Sequence, residues 1–128
     1  MILSITLAAA AAAAIINIWL SMRIGALRTK FKISVGDGGN EALVRRMRAQ
    51  LNFVENVPLV LVVIAAIELA RGENIYLMVI AAIFIFGRVA HGLGMDGGAL
   101  GAGRMIGTLT TMVSQLALAI WAVWIILH

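Results

Sequence analysis

Between Met105 and Leu127 the chain carries no charged residue, and none stands between Met1 and Met22. Each stretch exceeds the roughly 20 apolar residues that carry a helix across a bilayer. Two more apolar runs lie between them, one behind Gln50 and one behind Asn74. A soluble domain of 128 residues has no core large enough to hide four such segments; only 12% of the residues are charged, against about 25% in soluble proteins. The expected fold class is all-α: an integral membrane four-helix bundle. It forms a single domain over 1–128, with helices over about 1–22, 41–70, 75–95 and 104–127.

No basic residue precedes the first run, whose first following cation is Arg23, so it reads as a retained span rather than a secretory signal. Its seven consecutive alanines, Ala8–Ala14, would let a neighbouring backbone come close. Arg23–Asn40 reads as a basic connector ending in turn chemistry at Gly36-Asp37-Gly38-Gly39. Asn40 is a candidate N-cap, and Glu41 suits the positive end of the helix that follows. "RGEN" (71–74) is a short turn and "DGGALGAG" (96–103) a flexible loop. With no cysteine, the chain has no disulfide, no thiolate metal ligand and no nucleophilic thiol. Sulfur chemistry would have to arrive with a ligand.

Four spans place the first and third connections on one side. Arg23, Arg28, Lys30, Lys32, Arg45, Arg46, Arg48, Arg88 and Arg104 gather there, against only Arg71 opposite. That asymmetry puts the basic side in the cytoplasm and both termini outside. It accounts for the net charge of +4 without a nucleic-acid partner.

The second helix is longer than a membrane needs. Counted back from Arg71, its lipid-spanning part begins near Gln50, which leaves Asn52 and Glu55 just inside the cytoplasmic boundary. Glu41, Arg45, Arg48, Asn52 and Glu55 share one face, and Pro58 follows behind them. Arg88 and His91 lie at the same depth on the third helix; Arg104, Thr108, Thr111, Ser114 and Gln115 lie there on the fourth. A charge at mid-bilayer costs about 2.5–3.5 kcal/mol on insertion scales, so polar groups at one depth should face a hydrated, protein-lined cavity. Pro58 frees the carbonyl of Val54 beside it. Simpler roles stay open. Arg45, Arg46 and Lys32 suit interfacial anchors, Glu55 and Arg88 a structural ion pair, and His91 a packing residue. Glu68 and Glu73 read as solvated at the far boundary. The glycines of "GLGMDGGALGAG" follow a membrane helix rather than a strand, which excludes a dinucleotide site.

"RAQLNFVENVP" (48–58) resembles the second-helix signature of the MAPEG family, the membrane-associated proteins of eicosanoid and glutathione metabolism. "GRVAH" (87–91), with Arg104 thirteen residues beyond its histidine, is similar to the prostaglandin E synthase members. "ALRTKFKIS" (26–34) resembles the basic first loop of leukotriene-C synthases. The short, glycine-rich form looks most like the bacterial branch. The resemblance implies a homotrimer that binds glutathione as co-substrate at each subunit interface, open to the cytoplasm of a bacterial inner membrane. Arg28, Arg48, Asn52, Glu55, Arg88 and His91 would hold the tripeptide. Arg104 would be catalytic, stabilising a thiolate that attacks lipophilic electrophiles; no metal is implied.

The chain departs from the family pattern at three places. Met95 and Thr108 stand where members have tyrosines, and Met105 stands where a serine flanks the catalytic arginine. Two other functions compete with a glutathione transferase or peroxidase. One is a non-catalytic module that presents membrane lipid. The other is a small exporter of lipophilic cations, which the carboxylate-free first helix argues against.

Overall fold

The computed structural model describes residues 1–128 and contains helices only. Helix α1 spans Ser4–Phe31, α2 Glu41–Arg71, α3 Ile75–Gly94 and α4 Ala102–Leu127, with a single 3-10 turn at Gly98–Leu100. All four helices are long and apolar enough to cross a membrane. The chain is an integral membrane protein.

Two starts follow from side-chain caps. The Asn40 side chain accepts the Leu43 N–H at 2.9 Å, and Asn74 accepts that of Leu77 at 2.9 Å. Helix α1 departs from the expected boundary: it continues past Met22 through Arg23, Arg28 and Lys30 instead of giving way to a connector. The cations leave the lipid without leaving the helix, because no proline interrupts them and their long side chains reach the interface. The stop comes at Lys32, whose φ of 55° lets the Ile33 N–H return to the Arg28 carbonyl at 3.0 Å. Helix α2 stays continuous through Pro58.

Neighbours in sequence run antiparallel. Helices α3 and α4 make the most extensive contact and α1 and α2 the next; α2 and α3 also touch each other, and α1 and α4 do not meet. The section is thus a rhombus with α2 and α3 on its short diagonal. Glycine sets the α3–α4 spacing. A Cβ on Gly107 would collide with His91 and with the Gly87 carbonyl, and one on Gly94 would strike the Arg104 backbone. Such small residues let membrane helices pack where no hydrophobic drive separates protein from lipid. Ile64, Leu77, Phe84 and Leu118 are wholly buried at the centre.

The far end holds a correction. Glu73 is exposed as expected, but Glu68 is only 1% exposed. Its carboxylate accepts the Ile5 N–H at 2.9 Å, the Thr6 N–H at 2.8 Å and the Thr6 hydroxyl at 2.6 Å. Leu3, at the N-cap of α1, has no side chain able to do this. Helix α2 therefore caps α1, satisfying amides that lipid cannot. Glu68→Ala should lower unfolding stability in detergent by about 2–3 kcal/mol, since it strands those donors. Glu68→Gln, which keeps one acceptor, should lose less. Thermal unfolding of both variants checks this, and an unchanged Glu68→Ala transition would contradict it.

Candidate functional site

The polar face of α2 divides by depth. Nearest the basic end, Arg45 pairs with Glu41 at 2.8 Å. Arg48 and Glu55 are exposed on the side of the bundle and bond to nothing else in the chain. Asn52, half-buried between them, turns inward.

Asn52 is the partner of Arg88. The Arg88 guanidinium is 1% exposed; it donates to Asn52 Oδ1 at 2.7 Å and to Thr111 Oγ1 at 3.0 Å, with the Phe53 ring 5.9 Å away. The Glu55–Arg88 ion pair that the sequence left open does not form. Three residues turn a helix by about 300°, so Glu55 sits roughly 60° round from Asn52 and faces outward. Two buried atoms have no partner: Arg88 Nε and His91 Nδ1. His91 is 3% exposed and packs against Gly107, one turn from Arg104. One turn deeper, Gln115 donates to Asn56 Oδ1 at 3.1 Å, and Asn56 donates to the Asn52 carbonyl at 2.8 Å. A single connected polar layer thus joins α2, α3 and α4.

A separate cleft of about 740 Å³ opens between α1 and α2 at the basic end. Arg28, Asp37 and Arg48 stand at its mouth, Ser21 and Gln50 in its wall, and Leu51 and Val54 deeper along α2. Gln50 is fixed there by donating to Ser21 Oγ at 2.6 Å. Arg28 ties down the connection ahead of α2, donating to the Gly36 carbonyl at 2.7 Å. Arg48 is the cation left unengaged. A charged mouth over an apolar wall suits a ligand with an anionic head and an apolar partner.

Arg104 lies in the first turn of α4, which begins at Ala102 and has no side-chain cap. Its side chain is exposed and bonds to nothing in the chain. Within one chain, then, the expected residues fall into three places. Arg28 and Arg48 border the α1–α2 cleft; Asn52, Arg88 and His91 form the buried layer; Glu55 and Arg104 stand on the outer surface. Sequence reasoning read Arg46 as a simple anchor and gave Asp96 no role. The structure joins them: Arg46 donates to Asp96 Oδ1 at 3.1 Å, and Arg23 donates to the same carboxylate. The signal available was the single acid of the third connection, set on a side crowded with cations.

Four apolar spanning helices with a connected polar layer toward the basic end define an all-helical integral membrane bundle. The chain belongs to the MAPEG family, whose model matches residues 6–124. No individual curated protein matches it.

Because Arg88 shares its protons between two neutral oxygens, removing one should be costly. Asn52→Ala should destabilise the fold by about 1.5–3 kcal/mol, the range for a hydrogen bond to a charged group. Adding Arg88→Met should restore part of that loss, because the stranded charge goes too. A double-mutant cycle from detergent unfolding measures it; simple additivity would contradict the coupling.

Proposed function

We propose that this protein is a membrane glutathione transferase, with peroxidase activity as a related capacity, that works as a homotrimer. The observation carrying this reading is the α1–α2 cleft of a MAPEG chain, with Arg48 unengaged at its mouth. Glu55 and Arg104 support the trimer. Both are charged, exposed and unpartnered on spanning helices, and lipid is a costly neighbour for either. A second copy covering that surface would bring Glu55 and Arg104 of adjacent subunits to one niche. The charge asymmetry supports a niche facing the cytoplasm with both termini outside, and the likeness to the bacterial branch of the family supports a bacterial inner membrane.

The chemistry follows from the residue types. Arg28 and Arg48 suit the carboxylates of glutathione and Glu55 its ammonium group, while Asn52, Arg88 and His91 act behind them as the buried layer that sets the direction of this face. Arg104 and the uncapped amides of α4 supply positive charge that lowers the thiol pKa. The thiolate sulfur attacks an electrophilic carbon drawn from the bilayer. A carbon–sulfur bond forms, the leaving group departs with its electron pair, and the thiol proton has gone to solvent.

A second reading has its own observation. Met105 is 68% exposed, Met95 packs against the core, and the Thr108 hydroxyl is taken by the Arg104 carbonyl at 2.9 Å. These positions offer a thiolate no hydrogen-bond donor, which favours a module that presents lipid without chemistry. Turnover of glutathione with a chromogenic aryl halide separates the readings. Arg104→Ala should lower kcat about 100-fold, as loss of one charge-stabilising donor does, while calorimetric glutathione binding persists. Arg48→Ala should instead weaken binding about tenfold, the loss of roughly 1.4 kcal/mol. Wild-type turnover no faster than that of Arg104→Ala would sink the enzymatic reading; absence of glutathione binding would favour the lipid module.

A further inference from the structure

The connection between α3 and α4 contains little that could hold it still. Gly97, Gly98 and Gly101 punctuate it, Gly98–Leu100 is a lone 3-10 turn, and no side chain caps α4 at Gly101. Yet this connection delivers Arg104. Met95 at its start packs against the core, and one polar side chain beyond it is anchored to both other helices of the basic end.

Asp96 Oδ2 accepts from Arg23 of α1, and Arg46 of α2 donates to Oδ1 at 3.1 Å and to Oδ2 at 3.3 Å. Arg45 of α2 reaches the Asp96 carbonyl at 3.4 Å. The cations are braced in turn. Arg46 donates to the Arg23 carbonyl at 2.7 Å, and the Arg23 guanidinium stacks 5.0 Å over Trp19, whose ring packs on Gly92 of α3. Side-chain exposure is 18% for Arg23, 22% for Arg46 and 35% for Asp96, so the cluster is partly shielded from water and salt. Burial raises the Asp96 pKa, but hydrogen bonds from Arg46 and Arg23 outweigh it and hold the carboxyl below its ordinary 3.8. It is therefore ionised throughout the neutral range. Beyond the loop, the Arg104 amide donates to the Gly101 carbonyl at 3.2 Å and its backbone lies against Gly94, so the first turn of α4 starts directly from the connection that Asp96 anchors.

We propose that Asp96 is a positioning residue: by clasping Arg23 and Arg46 it fixes the α3–α4 connection and thereby sets where Arg104 stands. The idea rests on the role given to Arg104 above and assigns Asp96 no contact with substrate. The clasp acts at the one place where α1, α2 and the entry to α4 converge. Helices α1 and α4 make no direct contact; this carboxylate joins α1 and α2, which wall the cleft, to the segment that leads into α4.

The test uses the full-length protein in detergent, as wild type, Asp96→Asn and Asp96→Glu. Amide hydrogen exchange over residues 95–107 should speed up about tenfold in Asp96→Asn, a local opening. The turn at 72–74 should be unchanged. The ultraviolet signal of bound glutathione thiolate should titrate at higher pH in Asp96→Asn, while affinity measured below that titration, where the thiol form is bound, changes less than about twofold. Asp96→Glu should restore both properties in part. Unchanged exchange over 95–107 in Asp96→Asn would overturn the clasp. Faster exchange with an unmoved thiolate titration would overturn its bearing on Arg104. If the wild type bound no glutathione, the functional reading would fall, and the exchange arm alone would still decide whether Asp96 orders the Arg104 segment.

Discussion

A guanidinium inside a lipid-spanning bundle must find its acceptors within the protein, and Arg88 finds them on two different helices. Asn52 of α2 and Thr111 of α4 each take one of its terminal nitrogens. Everything at the basic end is registered against this bond. If α2 turned about its axis, Asn52 would swing away and strand the charge. If α4 slid along α3, Thr111 would leave, and Gly107 would no longer sit opposite His91. A polar contact that costs a great deal to break is a stronger constraint on helix rotation than apolar packing, because leucine and isoleucine tolerate several registers against lipid.

That rigidity explains a division of labour along α2. Residues turned inward are consumed by structure: Asn52 with Arg88, Asn56 with Gln115, Gln50 with Ser21. Residues turned outward, Arg48 and Glu55, are left free. Fixing the first set determines the direction in which the second set points. The same logic runs at both ends of the bundle, where a carboxylate of one element secures another: Glu68 the start of α1, Asp96 the approach to α4.

Much of this could be read in the sequence, for identifiable reasons. Uncharged runs fix the spans, because lipid leaves no other solution. Asn40 declares a helix start by its side chain, and the depth of Arg88 and His91 follows from their distance to the far turn, although in place of the hydrated cavity expected there they are packed into a buried layer. Family membership was carried by "RAQLNFVENVP". Other features depend on which helices become neighbours, and a single chain does not state that. Glu68 looked solvated because its depth is at the boundary; only the arrival of Ile5 and Thr6 beside it makes it a cap. Arg88 sat within reach of Glu55 by depth but met Asn52 by rotation, a difference of about 60° that periodicity does not resolve. Helix α1 runs past Met22 because charge alone does not end a helix: arginine and lysine are good helix formers.

The central claim is that unengaged charges on the flank of the bundle are covered by further copies of the chain, which together enclose a small acidic thiol. Native mass spectrometry of the detergent-released protein in the presence of glutathione tests this most directly. A trimer retaining one glutathione per interface is the expected result, with less glutathione retained in Arg48→Ala while the trimer survives. A protein that stays monomeric, or a trimer that never retains glutathione, would contradict it.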